Sequence, residues 1–252
     1  TFPIAKHSYL VKNAAELTQV MANAFRVAVS GRPGPVVIDV PKDIQNQEVE
    51  LADSEIKISH KTPEPDIRSI IEAAKMINRA RKPVIYAGGG VIASVAFDEL
   101  EELAKKGNIP VAVSLMGLSA MRHDSEFYLG LLGMHGNVST NLLVNDADLI
   151  ICIGARFGDR TTGKLAGFAS KSALIHIDID PSEINKIRKS RIPISGDAKT
   201  ILTHLIPHID RKERKEWLTT VHLVKAAHDK SPAYLPNHPV SIIRKIASAP
   251  TP

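Results

Sequence analysis

Residues 131–160 read LLGMHGNVSTNLLVNDADLIICIGARFGDR, and one unit of the pattern that decides the fold lies inside them. A glycine-flanked turn, Gly133-Met134-His135-Gly136, opens the stretch. Residues 139–145 follow with helical spacing. Residues 148–153 then form an apolar run of strand length, as expected of a strand buried on both faces. It stops at Gly154-Ala155-Arg156-Phe157-Gly158-Asp159-Arg160, where two arginines and an aspartate crowd a glycine-rich turn. Open α/β sheets bind ligands in the crevice outside the carboxyl ends of their strands. The stretch therefore predicts a parallel sheet, with the Met-His turn and the arginine turn facing one ligand.

The alternation continues on both sides. Asp66 is placed to cap a helix over 66–80. Strands are predicted at 83–87, 110–115, 173–177 and 192–195. They stop at Gly88-Gly89-Gly90, Met116-Gly117, Asp178-Ile179-Asp180-Pro181 and Gly196-Asp197. Helices are predicted at 95–106, with Gly107 as stop, at 182–188 and at 199–209. Strand-helix alternation means a parallel sheet covered on both faces. The expected class is α/β, a doubly wound, Rossmann-like parallel sheet of about six strands. Residues 14–30 carry Leu17, Val20, Met21, Ala24, Phe25 and Ala28 at helical spacing, with Asn13 and Glu16 arranged as in a capping box. A strand at 35–40 follows. One helix and one strand cannot bury their own faces, so 1–45 reads as the end of another domain and 46–65 as a linker. Residues 66–210 read as the central domain. Residues 211–252 read as a basic helix over 211–229, a Pro-rich loop over 231–238 and the first helix beyond, ending on the connection-like Ala249-Pro250-Thr251-Pro252.

The chain has 252 residues, 44% hydrophobic and 23% charged, a globular composition. It has no apolar run of the ~20 residues that span a membrane. Thr1-Phe2-Pro3 lacks the basic start and apolar run of a signal peptide. The single Cys152 excludes an internal disulfide and fits a reducing compartment. The formal charge of +5 is local: residues 211–252 hold eight Lys and Arg against three Asp and Glu, and the rest balances. Only Trp217 interleaves with the charges of 211–217, so a solvated helix face is the plainer reading than a nucleic-acid patch.

Several strand ends carry chemistry. Gly88-Gly89-Gly90-Val91-Ile92-Ala93 matches the G-x-G-x-x-A dinucleotide pattern. That pattern also needs an acid about 20 residues on, where this chain has Val113-Ser114-Leu115-Met116. Close backbone approach is therefore the plainer reading of the glycines. His135 has no Cys, Asp or Glu at metal-ligand spacing and reads as a turn histidine. Arg156, Asp159 and Arg160 suit either a surface ion pair or a pyrophosphate, which a guanidinium fork grips in bidentate fashion. Asp180 before Pro181 reads as an N-cap, while Asp178 could accept from a ribose or an adenine amine. Gly196-Asp197 repeats that pattern one strand later. There is no G-x-S-x-G and no H-E-x-x-H, and Leu165 stands where a P-loop over 158–165 would need Ser or Thr. A nucleotide-binding interaction module without enzymatic activity would use the same strand ends.

Seven motifs occur together and in order: Gly31-Arg32-Pro33-Gly34-Pro35-Val36, Asp39-Val40-Pro41-Lys42-Asp43, Gly88-Gly89-Gly90, Leu115-Met116-Gly117-Leu118, Leu132-Gly133-Met134-His135-Gly136, Gly154-Ala155-Arg156-Phe157 with Asp159-Arg160, and His176-Ile177-Asp178-Ile179-Asp180-Pro181. Over nearly the whole chain this set resembles the large catalytic subunits of acetolactate synthase (acetohydroxyacid synthase), which are thiamine-diphosphate enzymes. The resemblance implies three consecutive domains, of which 1–45 would end the thiamine-pyrimidine-binding domain, 66–210 would be the central, FAD-binding one, and 211–252 would be a linker and the first helix of the C-terminal thiamine-diphosphate-binding domain. FAD would lie across the strand ends, lined by Arg32, Gly88, Gly89, Gly90, Ser114, Leu115, Met116, Gly133, Met134, His135, Gly136, Gly154, Arg156, Asp159, Arg160, Asp178, Ile179, Gly196 and Asp197. Lys42, Met134, Asp159 and Arg160 match positions bordering the substrate and inhibitor channel. Thiamine diphosphate and Mg²⁺ belong to the intact enzyme. That enzyme condenses two pyruvates, or pyruvate and 2-oxobutyrate, with loss of CO₂ in branched-chain amino-acid biosynthesis. The FAD undergoes no net redox change. The resemblance further implies a homodimer or homotetramer, with room for a regulatory subunit. No nucleic-acid or membrane partner is implied, and the location would be the cytoplasm, or a plastid or mitochondrion in a eukaryote. Gly158 departs from the pattern, which usually has Asp there. The family's catalytic glutamate and its Gly-Asp-Gly…Asn metal motif have no counterpart in these residues, so the 252 residues alone are expected to be inactive. Another thiamine-diphosphate decarboxylase or carboligase, with an ADP-like ligand in place of FAD, is the alternative within the superfamily.

Overall fold

A computed structural model of the chain describes residues 3–49, 64–229 and 239–248. Strand β1 (His7–Leu10) pairs in parallel with β2 (Val36–Asp39), and α1 (Leu17–Val29) connects them. The short α2 (Lys42–Gln45) closes this unit. Val11, Ala14 and Ile44 form its small core, with Leu17, Val20, Ile38 and Val40 against it. The four residues of β1 are too few for a periodic signal in the sequence. Asn13 caps a 3₁₀ turn, Ala14–Glu16, ahead of α1: its side chain accepts from the Ala15 N–H at 3.0 Å. The Glu16 N–H goes to the Asn13 carbonyl.

The larger unit begins with α3 (Ile67–Arg79), whose first turn Asp66 caps by accepting from the Arg68 N–H at 3.1 Å. In chain order follow β3 (Pro83–Ala87), α4 (Gly89–Ala93), α5 (Phe97–Gly107), β4 (Val111–Val113), β5 (Tyr128–Leu131), α6 (Val138–Asp146), β6 (Leu149–Ile153), α7 (Asp159–Thr162), β7 (Ala173–Asp178), β8 (Ile192–Ser195), α8 (Ala198–Leu205), α9 (Lys215–His228) and α10 (Pro239–Ala247). The six strands β3–β8 form one parallel sheet in the order β5-β4-β3-β6-β7-β8. Side chains alternate between two cores, as strand geometry requires. Ile85, Val111, Val113, Ile151, Ile153 and Ile175 point to the face covered by α3, α5 and α8. Val84, Tyr86, Ala112, Ile150 and Cys152 point to the other, with Leu143, Phe157, Phe168 and Trp217.

Three features differ from the sequence pattern. Strand β5 is hidden by Gly130, which sits at φ +104 and makes the register with β4 irregular. An added Cβ there would lie 2.7 Å from the Asn137 side-chain oxygen. Residues 182–188 form turns, not the expected helix. Asn185 takes a left-handed φ of 64°, and its side-chain oxygen accepts both the N–H and the hydroxyl of Ser190, each at 2.7 Å. Arg188 leaves the segment to donate to the Ala169 and Ser172 carbonyls, at 2.7 and 2.6 Å. Third, α9 is built into the second face of the sheet. Trp217 buries its ring and donates Nε1–H to the Pro83 carbonyl at 3.0 Å. Lys225 donates to the Tyr128 carbonyl at 2.7 Å. The Arg214 guanidinium donates to the carbonyls of Ile77, Ala80 and Gly107, at the ends of α3 and α5. Cations belong at helix C-termini, where unpaired carbonyls gather. Part of the local basic excess is thus structural. Residues 50–63 of the expected linker over 46–65, and the Pro-rich loop over 231–238, lie outside the described residues.

Candidate functional site

Strand order reverses between β3 and β6, because the chain leaves β3 outward to β4 and returns to β6. A crevice opens where two such connections diverge. At its base the two turns touch. Gly88 donates its N–H to the Ile153 carbonyl and Gly90 to the Gly154 carbonyl, both at 3.0 Å. A Cβ on Gly88 would lie 2.2 Å from the Gly154 carbonyl oxygen, and one on Gly90 would lie 2.6 Å from the Gly154 Cα. Close approach does explain these glycines, and the approaching atoms are protein. Gly89 stands against Met116, whose Cβ would be 3.2 Å from an added methyl. The Ser114 N–H goes to the Ala87 carbonyl at 2.9 Å.

The Met-His turn and the arginine turn meet. The Met134 N–H donates to the Arg160 carbonyl at 2.8 Å, and a Cβ on Gly133 would lie 2.4 Å from that oxygen. Asn141 of α6 holds the turn from below, accepting from the Gly133 N–H at 3.1 Å and donating to its carbonyl at 2.9 Å. The Tyr86 hydroxyl, at the end of β3, lies 3.3 Å from the Thr161 hydroxyl. Burial pushes the Tyr86 phenol up to about 12, so it stays a neutral hydrogen-bonding group. Leu115 and Met116, after β4, and Met134, after β5, stand 69–73% exposed. Large apolar side chains gathered at strand ends mark a surface built to be covered. His135 and Gly136 complete the turn, with His135 exposed.

The other half of the edge is charged. Arg156 is half-exposed, and its guanidinium lies 3.8 Å from the Glu183 carboxylate. Asp159 and Arg160 are exposed at the start of α7, where the Asp159 carboxylate accepts the Arg160 N–H at 2.8 Å. Gly158, at the N-cap of α7, has nothing within 4 Å of an added Cβ. Asp178 is 8% exposed and accepts from the Asp180 N–H at 2.9 Å. Burial raises its pKa. Asp180 accepts from the N–H and hydroxyl of Ser182, and the hydroxyl chiefly lowers its pKa, with the Arg32 charge contributing. Arg32 shares a cleft of about 670 Å³ with Lys6, Ile179, Asp180 and Pro181, so the fold brings it to the end of β7. The Gly196 N–H goes to the Asp178 carbonyl at 2.9 Å. Asp197 spends its carboxylate capping α8 at the Thr200 N–H, 3.0 Å away. Lys42 sits exposed at the start of α2.

Behind the charged turn lie residues for which the motifs implied no role in the site. The Ala155 carbonyl is 3.1 Å from both the Cys152 sulfur and His176 Nε2. Both residues are buried on neighbouring strands. Burial lowers the His176 pKa and raises that of Cys152. Glu183 is the other such residue. The sequence signals for His176 are its place at the head of the His176–Pro181 motif and its polarity inside an otherwise apolar strand.

Exposed apolar side chains, two arginines and a buried carboxylate on one edge suit an elongated ligand with a flat ring, a diphosphate and a hydroxyl- or amine-bearing end. That donor set fits a flavin dinucleotide. Among the described residues no group of three or more His, Cys, Asp or Glu could hold a metal ion. No described helix is long and apolar enough to cross a membrane. A larger cavity of about 800 Å³ lies along α5 and residues 211–213. Its walls are alternating surface charges, without a strand-end turn, and the chemistry favours the sheet edge.

Sheet order and edge together define a doubly wound α/β domain with a crevice at its switch point. More particularly, the chain belongs to the thiamine pyrophosphate enzymes, whose central-domain family model matches residues 70–205. It is 44% identical over 219 residues to the acetolactate synthase isozyme 1 large subunit of Escherichia coli, covering 86% of this chain and 38% of that protein. It is 39% identical over 247 residues to the acetolactate synthase large subunit of Corynebacterium glutamicum, covering 93% and 40%. A solved structure of a thiamin diphosphate-dependent enzyme from Mycobacterium smegmatis shares the fold, with a TM-score of 0.72 at 24% identity over 83% of this chain and 40% of that one. The chain thus spans about two fifths of the length of these relatives.

Proposed function

We propose that this chain is the flavin-binding centre of an acetolactate synthase large subunit. The observation that carries the reading is the 2.8 Å contact between Met134 and Arg160, which joins an apolar and a cationic surface over one crevice. The 44% identity to a named acetolactate synthase large subunit supports it. Leu115, Met116 and Met134 would cover the flavin ring. Arg156 and Arg160 would hold the diphosphate by charge-assisted, forked hydrogen bonds. Asp178 and Ile179, with Arg32 nearby, would receive the adenosine end. Gly88, Gly90 and Gly154 would shape the floor through contact with one another. Lys42 and Asp159 would border the substrate channel.

In this reading residues 1–45 belong to the thiamine-pyrimidine domain, and the central domain extends to the end of α9. Thiamine diphosphate and Mg²⁺ would be held by residues outside this chain. Bound thiamine diphosphate supplies the carbanion chemistry of 2-oxo acid decarboxylation. The intact protein would decarboxylate pyruvate and join the remaining two-carbon unit to a second 2-oxo acid. It would work in the cytoplasm or an organelle as a homo-oligomer, with a regulatory subunit as partner. The test is to purify the full-length protein and measure acetolactate formation from pyruvate with thiamine diphosphate, Mg²⁺ and FAD, alongside the visible flavin absorbance. Acetolactate and bound flavin are expected. Tight ADP binding without flavin would instead indicate another carboligase of the superfamily.

A further inference from the structure

Two contacts from the β7 segment converge on Arg156. The Glu183 carboxylate, in the loop after β7, lies 3.8 Å from the Arg156 guanidinium and 3.1 Å from the Lys186 ammonium. His176, on β7 itself, reaches the preceding residue: Nε2 lies 3.1 Å from the Ala155 carbonyl. The first contact acts on the side chain, the second on the backbone from which it departs. For Nε2 to donate, the ring must carry its proton there, leaving Nδ1 as a bare acceptor. Nδ1 is buried and has no hydrogen-bond partner, in a side chain that is 1% exposed. An unmet buried nitrogen is costly. An aliphatic side chain would fill this strand position without that cost. The ring is also fixed in place, edge-on to Phe157 with centroids 5.6 Å apart. Cys152 meets the same carbonyl, but a thiol is a weak donor.

We propose that His176 is a positioning residue of the strand-end site: its Nε2–H holds the Ala155 carbonyl and so sets the direction in which Arg156 leaves the sheet toward the diphosphate of bound flavin. The inference rests on the flavin reading above. A merely space-filling histidine would be replaceable by any side chain of similar bulk. A positioning histidine is replaceable only by one that donates from the same place.

The test uses the full-length protein, FAD titration followed by flavin fluorescence, and thermal melting. The Gln amide in His176→Gln reaches the same carbonyl, whereas His176→Leu fills the space without a donor. We expect His176→Leu to bind FAD roughly tenfold more weakly, about one hydrogen bond, and His176→Gln to stay within roughly threefold of the parent. In an Arg156→Ala background the Leu penalty should vanish, because the arginine it positions is gone. If His176→Leu does not fold, His176→Asn, whose amide stops one bond short, replaces it with the same expectation. Equal binding by all variants, equal loss in Gln and Leu, or a Leu penalty that persists without Arg156 each overturn the proposal. A parent protein that binds no FAD overturns the flavin reading itself, and is seen before any substitution is made.

Discussion

The turn after β3 and the turn after β6 face each other across the switch point, both are rich in glycine, and they use it differently. Gly88 and Gly90 have no room for a side chain, because the Gly154 backbone occupies it, and their N–H groups are committed to protein carbonyls. Gly158, on the other turn, faces open space at an ordinary φ of −75°. A glycine at a strand end reports close approach, but the sequence does not say whether a ligand or a neighbouring strand does the approaching. Charge separates the two turns better. The first carries none, whereas the second carries Arg156, Asp159 and Arg160, exposed to whatever fills the crevice.

The sharpest break of this contrast is Gly88→Ala. Its methyl would sit 2.2 Å from a backbone oxygen that cannot move without displacing β6. Overpacking of this kind should cost about 3 kcal/mol, read as a lower urea midpoint of the full-length protein. A variant as stable as the parent would mean that the two turns are loosely packed. Next comes Arg156→Ala, which should leave stability unchanged, since the side chain is half-exposed and its Glu183 contact is long. Flavin affinity should fall by about 1.5–3 kcal/mol, the size of a hydrogen bond to a charged group. Unchanged flavin binding would remove Arg156 from the site.

The alternation of apolar runs and breakers made the parallel sheet legible, because a strand buried on both faces must be apolar throughout. Strand β5 was not legible, since Gly130 interrupts its four residues and the partners that hold it, β4, Thr140 and Lys225, are set by the fold. Residues 182–188 have helical composition, but their polar side chains serve neighbouring loops instead. Trp217 looked like a lone aromatic among charges. Its role appears only when Pro83, 134 positions away, offers its carbonyl. In the site, motif chemistry pointed to Arg156 and Asp178. The residues that hold them, His176 and Glu183 for Arg156, are set by spatial neighbours that no local spacing records.

A smaller effect concerns the support behind the arginine turn. Burial lowers the His176 pKa, so the unfolded chain takes up a proton that the folded one resists. Stability from this group is present above the unfolded pKa of about 6.5 and is lost as pH falls through it toward the folded value. Asp178 runs the other way: its raised pKa means that stability is regained as pH falls through the folded value toward about 3.8. As pH falls below about 6.5, His176→Gln should lose less stability than the parent, a difference that isolates the histidine from Asp178. Equal slopes would show that His176 does not titrate with folding.

The smallest change tests the contrast from its open side. Gly158→Asp restores the acid that the family resemblance implies, at a position with no atom to meet the new Cβ and no backbone strain to relieve. Gly158 is the N-cap of α7, and Asp in place of Gly at an N-cap is worth only a few tenths of a kcal/mol. Urea midpoints should therefore move slightly upward, opposite in sign to Gly88→Ala. Flavin affinity should change by less than roughly threefold, because the new carboxylate is exposed and solvent screens its charge from Arg156 and Arg160. A large loss of flavin would show that the crevice already fills the space beside Gly158. The absent side chain would then be part of the site's shape, and Gly158, like Gly88, would be a glycine required by close approach, with the ligand as its neighbour.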